Sequence, residues 1–205
     1  MSSPLPSHAG PIALAAGLAF AAEDVWRLLA ADHSLERIEM MRQTPFQLSN
    51  AFYFVVFIGL MLALVSVYMR YADSAGALGV VGFCGALIGT MDMAGNMWFD
   101  GFAGPWIAET APGAILAGGS GMLVIGALSS YVLFALGWIS FGLVGWRTHM
   151  FPAWAGAAFV VAGALGFNVG LPPYGIPIGL AMAALGWWIT RSARVPAEQR
   201  QDARS

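Results

Sequence analysis

Long apolar stretches alternate with short polar connections along the chain. A transmembrane helix needs about 20 predominantly apolar residues to cross a hydrocarbon core about 30 Å thick. The stretches of roughly this length are 11–31, 51–70, 75–98, 119–146, 153–169 and 174–190. The pattern predicts an all-α fold, a polytopic transmembrane helical bundle with six spans. Residues 1–10 would form an N-terminal tail, 11–190 the membrane domain and 191–205 a polar cytoplasmic tail.

The first stretch is the least apolar, because Glu23, Asp24 and Arg27 lie in its second half. Arg27 follows Glu23 by four residues and Asp24 by three, and side chains at these spacings are neighbours on a helix. A local ion pair would lower the cost of placing these groups in a membrane. We therefore predict that 11–31 is a span.

Two of the connections are long enough to contain helices of their own. Apolar residues recur at helical spacing within 32–47, which predicts a short helix lying in the membrane interface. Pro45 is expected to end that helix. The connection 99–117, with Trp106 and Pro112, predicts a second short interfacial helix.

The distribution of arginine predicts the orientation, because basic residues are enriched in cytoplasmic connections. If the C-terminal tail is inside, the arginines on the cytoplasmic side are Arg70, Arg147, Arg191, Arg194, Arg200 and Arg204. Those on the outer side are Arg27, Arg37 and Arg42. The inner side would carry more arginines, so we predict that both termini lie in the cytoplasm.

Composition agrees with a membrane location. Only 10% of the residues are charged, whereas 59% are hydrophobic and the mean hydropathy is +0.71. A soluble domain carries about 25% charged residues, so this chain has too few to cover a water-facing surface of normal size. The net charge of −2 argues against a nucleic-acid partner. The expected partners are the lipid bilayer and either another membrane protein or a second copy of the chain.

Polar side chains interrupt the end of the third span. Asp92, Asn96 and Asp100 are spaced four residues apart, so on a helix they project from one face. An ionisable side chain within a span is a candidate functional group. Asp92 is therefore a candidate proton- or substrate-binding residue, unless it lies in the wet interface or pairs with Arg27.

The polar groups of the first and third spans both lie at the predicted outer ends. We therefore hypothesise one outward-facing polar vestibule, and proximity of Asp92 to Glu23, Asp24 or Arg27 would support it. The predicted site residues are Glu23, Asp24, Arg27, Asp92, Asn96 and Asp100.

The sequence gives little support to a copper site, a haem site or a serine nucleophile. Methionines near Asp92 offer thioethers that bind Cu(I), but methionine is also a common packing residue and His149 is expected at the other end of the bundle. The histidines lie in the tail and connections, so no pair is placed within the spans to bind haem. No histidine or lysine is placed to activate the serines of the fourth span. We predict no cofactor, no metal site and no catalytic residue.

Two blocks of the sequence carry a resemblance. They are GNMWFDGFAGPWIAETAPG at 95–113 and LFALGWISFGLVGWRTHMFPAWAGAAFVVAGALGF at 133–167. Their acidic aromatic segment and their Arg…Phe-Pro-x-Trp-Ala turn resemble a group of small, uncharacterised six-span integral membrane proteins of high-GC Gram-positive bacteria. The resemblance covers roughly residues 75–190. It implies a six-span fold in the cytoplasmic membrane of a bacterium, and it implies no activity.

Three classes of function follow from these observations. The favoured hypothesis is a non-enzymatic membrane protein that handles a small solute or a proton through the outward-facing vestibule. The alternative is a structural or accessory subunit of a membrane complex. The third is an intramembrane enzyme that uses paired carboxylates.

Overall fold

The computed structural model describes residues 5–30, 32, 34–116 and 121–193, and their regular secondary structure is helical. The α-helices are α1 (Ala9–Ala30), α2 (Arg37–Met41), α3 (Thr44–Trp98), α4 (Gly104–Thr110), α5 (Pro112–Leu116), α6 (Gly121–Arg147), α7 (Ala153–Leu165) and α8 (Ile176–Ser192). A π-helical turn, Phe99–Ala103, joins α3 to α4. Predicted features at 1–4, 31, 33, 117–120 and 194–205, which include the start of the fourth span and most of the C-terminal tail, lie outside the described residues.

Helix α3 reverses direction at Gly76, which has a φ of 56° and a ψ of −159°. Tyr68 and Phe83 stack with ring centroids 4.3 Å apart, although a straight helix would separate them by about 22 Å at 1.5 Å per residue. Residues 71–74, which separate the predicted second and third spans, are helical, and the chain turns just after them, at Gly76. Glycine adopts positive φ at little cost, whereas the polar residues before it do not force a turn. We name 44–75 the first arm of α3 and 77–98 the second arm.

Neighbouring helices pack antiparallel through small residues. A Cβ atom added to Gly17 of α1 would overlap the backbone of Ala183 in α8. A Cβ atom added to Gly137 of α6 would overlap the backbone of Gly85 in the second arm of α3. The backbones therefore approach closely, as small residues allow in membrane helix pairs.

Aromatic side chains fill the centre of the bundle. Phe20 of α1 packs against Tyr53 and Phe57 of the first arm, with ring centroids 5.1 and 4.8 Å away. Trp138 of α6 is fully buried, and its indole N–H donates to the hydroxyl oxygen of Thr90 at 3.1 Å. The buried indole thus has the hydrogen-bond partner that its polar edge requires.

One end of the bundle is covered by α2 and α4. A small apolar cluster there consists of Ile38, Met41, Phe46 and Ala108. Pro45 lies in the first turn of α3, so the prediction that it ends the preceding helix is wrong. The first turn tolerates proline because the amide hydrogen that proline lacks has no partner within the helix there.

Two helical runs in the described part of the chain are long and apolar enough to cross a membrane, judged by length and composition. They are Thr44–Thr110 and Gly121–Arg147. Ala153–Asn168 is a shorter apolar helix. The arrangement of six spans stays a prediction.

Candidate functional site

The predicted site residues fall into two polar regions. The first, which we name the buried cluster, consists of Glu23, Asp24, Arg27, Ser49, Asn50 and Tyr53 between α1, the first arm of α3 and the start of α8. The second, which we name the groove, lies between the second arm of α3 and the start of α6. Its lining residues are Asp92, Asn96, Phe99, Met122, Leu123, Gly126, Ala127, Ser129 and Ser130.

Arg27 is the centre of the buried cluster, with only 5% of its surface exposed. Its guanidinium donates to the side-chain oxygen of Asn50 at 3.0 Å and to the sulfur of Met97 at 3.5 Å. The ring centroids of Phe46 and Tyr53 lie 5.5 and 5.7 Å from the guanidinium carbon. Aromatic faces at this distance stabilise a cation when water is excluded.

Asp24 joins three helices. One carboxylate oxygen accepts the hydroxyl hydrogen of Tyr53 at 2.9 Å. The other accepts the backbone N–H groups of Gly175 and Ile176 at 3.0 and 3.2 Å, where α8 begins. The first amide groups of a helix lack partners within it and favour a negative charge. Asp24 therefore caps α8 from α1.

Glu23 accepts a hydrogen bond from the hydroxyl of Ser49 at 2.8 Å. Arg27 is also close enough to interact electrostatically with Glu23, Asp24 and Asp100. The positive charge therefore lies within electrostatic range of three carboxylates, and its described hydrogen bonds go to Asn50 and Met97 of α3. A local ion pair of Arg27 with Glu23 or Asp24 stays a prediction.

Asp100 lies in the π-helical turn beyond the predicted third span and forms an ion pair with Arg37 of α2 at 2.9 Å. Its side chain is 10% exposed, whereas that of Arg37 is 60% exposed. Burial raises the pKa of the Asp100 carboxyl, and the neighbouring positive charge of Arg37 opposes that rise. This ion pair attaches α2 to the π-helical turn.

The groove has a volume of about 310 Å³. Asp92 is half-buried at its wall, four residues before Asn96. The Asn96 amide donates to the hydroxyl oxygen of Ser130 at 3.3 Å. Ser130 donates to the backbone carbonyl of Ala127 at 2.7 Å. The groove therefore combines a carboxylate, an amide and hydroxyls with apolar side chains.

Two buried methionines lie between the buried cluster and the groove. The sulfur of Met97 accepts from Arg27 on one side, and the sulfur of Met93 lies 3.6 Å from the Ser130 hydroxyl on the other. The described residues that line the groove include none from α1. The structure thus places Asp92 and Asn96 in the groove, the charged residues of α1 in the buried cluster, and Asp100 beneath α2. A single vestibule that joins them stays a prediction.

Sequence reasoning did not identify Ser49, Asn50 and Tyr53 as partners of the charged residues in α1. These residues lie 23 to 29 positions away from the groups that they contact. The one feature of the sequence that could have indicated them is their polarity at the start of the apolar stretch 51–70. Phe99 and Ser130 of the groove were also not assigned to a binding site.

Among the described residues, no group of three His, Cys, Asp or Glu side chains is placed to hold a metal ion. Comparisons of the chain with models of protein families, with curated proteins and with solved structures find no match.

Proposed function

We propose that the chain is a six-span integral membrane protein of the bacterial cytoplasmic membrane, with both termini inside, and that it binds a small solute or a proton in the groove. The observation that carries this proposal is the half-buried carboxylate of Asp92 in a groove of about 310 Å³. Small-molecule sites begin near this volume and pair an apolar lining with a few polar groups.

The exposed surface supports the membrane part of the proposal. Large apolar side chains are exposed on several helices, for example Leu29 at 80%, Val81 at 65% and Val161 at 60%. Extended apolar surface of this kind is costly in water and ordinary against lipid. The reversal at Gly76 also divides α3 into two arms, the second of which would be about 33 Å long at 1.5 Å per residue.

The contacts of the buried cluster favour a structural role for that region. Asp24 and Glu23 accept hydrogen bonds from protein groups. Arg27 is enclosed by Asn50, Met97 and the rings of Phe46 and Tyr53. Asp92 differs, because part of its side chain faces the groove. The solute-binding proposal therefore rests on the groove, and an enzyme that uses paired carboxylates has less support.

A second candidate function, an accessory subunit, is favoured by the start of α6. Residues 121–126 are all exposed, whereas the later turns of α6 bury side chains such as Phe134 and Trp138. A helix from another membrane protein would cover this segment. Such a partner would co-purify with the chain and would protect the segment from labelling.

Cysteine accessibility tests the six-span arrangement. The single cysteine, Cys84, is first replaced by alanine. We expect a membrane-impermeant maleimide to label Ser34→Cys and Gly113→Cys in intact cells, and to label Ser74→Cys and Thr148→Cys only after permeabilisation. Labelling of either of the last two in intact cells would contradict the orientation.

Carbodiimide modification tests the groove. We expect a water-soluble carbodiimide with an amine nucleophile to modify Asp92 in the folded protein and to leave Asp24 unmodified. Both residues should react after unfolding in detergent, which serves as the control. Protection of Asp92 in the folded state would mean that the groove is closed to solutes, and the accessory-subunit function would then be preferred.

A further inference from the structure

The polar groups of the groove are mainly hydrogen-bond acceptors. Ser129 donates its hydroxyl hydrogen to the carbonyl of Gly126 at 2.8 Å, and Ser130 donates to that of Ala127 at 2.7 Å. Each hydroxyl therefore has only lone pairs left to offer. The Asn96 amide uses an N–H on Ser130, and its carbonyl oxygen is a further acceptor.

The charge of the groove has one sign. Asp92 is the charged residue among the described lining residues, and the described contacts of the chain include no hydrogen bond or ion pair to its carboxylate. An ionised carboxylate in a partly apolar site is stabilised by a positive partner that also donates hydrogen bonds.

The rest of the lining is apolar and contains one aromatic ring among the described residues. Phe99 belongs to the π-helical turn, and Met122 and Leu123 belong to the first turn of α6. An apolar group of modest size would pack against these side chains. An aromatic ring also attracts a nearby cation.

From this juxtaposition of acceptors, negative charge and apolar surface we infer that the groove selects a small organic ammonium compound. Its three N–H groups donate to Asp92, to the Asn96 carbonyl oxygen and to the Ser129 oxygen, while its apolar part packs on Phe99 and Met122. The inference rests on the proposed function and makes it more specific. The Asp92 carboxylate would repel an anionic solute, and the groove offers an anion few hydrogen-bond donors, so the groove disfavours anions.

Calorimetric titration of the purified full chain in lipid nanodiscs tests this selection, with empty nanodiscs as the background. The probes are benzylammonium, the uncharged benzyl alcohol, and benzyltrimethylammonium, which keeps the charge but has no N–H donor. We expect benzylammonium to bind at least about tenfold more tightly than either of the other two, a difference of about 1.4 kcal/mol.

Variants assign the binding to the groove. Asp92→Asn keeps the shape of the side chain and removes its charge, so we expect benzylammonium binding to weaken at least about tenfold. Asp73→Asn, at an exposed position of the same helix, is the matched control and should bind as the parent does. An unchanged melting temperature and a single elution peak verify that each variant is folded.

The outcomes separate this inference from the proposed function. If benzyl alcohol binds as tightly as benzylammonium and Asp92→Asn has no effect, the ammonium inference is overturned and solute binding stands. If none of the probes binds, the ammonium inference is also overturned. In that case modification of Asp92 by carbodiimide decides whether the groove remains a solute site or the proposed function fails with it.

Discussion

The buried cluster and the groove contain the same kinds of polar side chain in different environments. Each has a carboxylate, an amide and a hydroxyl on helices of the same bundle. In the buried cluster, Asp24 accepts three hydrogen bonds and has no exposed surface. In the groove, Asp92 is half-buried and faces open volume. Residue type alone therefore does not distinguish a structural carboxylate from one that is available to a ligand.

The difference has an energetic origin. Burying an unpaired charge is costly, whereas a charge that is paired and hydrogen-bonded is tolerated. Removing one member of the buried cluster would leave its partners without compensation. Asp92 has no such partners within the protein among the described contacts, so its charge is solvated by water, lipid headgroups or a ligand. Removing that charge would leave no protein group unpaired. Substitution should therefore lower the free energy of unfolding in the buried cluster and change it little in the groove.

The largest expected effect is that of Arg27→Met. The variant keeps an apolar stem but removes the charge that lies among Glu23, Asp24 and Asp100, so the free energy of unfolding should fall by about 3 kcal/mol. Unfolding by SDS in mixed micelles measures this change. Arg147→Met, at an exposed position near the other end of the bundle, is the control. Equal effects of the two substitutions would mean that the buried cluster is not a stabilising element.

A smaller loss is expected for Asp24→Asn. The amide has one acceptor oxygen where the carboxylate has two, so either the Tyr53 hydroxyl or the backbone N–H groups at the start of α8 lose their acceptor. We expect a loss of about 1 to 2 kcal/mol in the free energy of unfolding. The same SDS titration of Asp73→Asn should give no significant change. If Asp24→Asn matches that control, Asp24 does not cap α8.

The sequence predicted the positions of the long helices better than the reversals between them. The apolar stretch 153–169 corresponds to α7 and the single 3₁₀ turn Gly166–Asn168 that follows it, and 174–190 corresponds closely to α8. The polar residues at 71–74 indicate a turn slightly before Gly76, because polar residues mark the end of an apolar stretch, whereas backbone freedom decides where the chain turns. Many glycines in this chain lie within helices, so the residue type did not single out Gly76.

The groups of the candidate site were predictable only where their spacing is local. Asp92 and Asn96 are one helical turn apart and line the same groove. Asp100 lies beneath α2, because a π-helical turn begins at Phe99 and alters the angular spacing of side chains. The bond from Asp24 to Gly175 joins residues 151 positions apart. Such contacts depend on how helices pack, which periodicity does not reveal.

Filling the groove should affect binding without weakening the fold. Gly126 lines the groove, and an added Cβ atom there meets open space. Gly126→Leu should therefore prevent benzylammonium binding by occupying the volume. It should also stabilise α6 by up to about 1 kcal/mol, because leucine forms helices more readily than glycine.

Gly95→Leu is the matched control for the same substitution. Gly95 also has open space around it, and it is not among the residues that line the groove. It should bind benzylammonium as the parent does, as measured by the same calorimetric titration. Loss of binding in both variants would mean that helix rigidity, and not the volume of the groove, governs binding.

The smallest expected effect on stability is that of Asp92→Asn, and it separates the two regions most directly. Because Asp92 is half-buried and accepts no hydrogen bond among the described contacts, the free energy of unfolding should change by no more than about 0.5 kcal/mol. Asp24→Asn removes the same charge from the same bundle, so the SDS titration compares like substitutions. A loss at Asp92 as large as that at Asp24 would indicate that Asp92 is a structural residue. A negligible loss, together with loss of benzylammonium binding, would identify it as a residue whose charge serves a ligand.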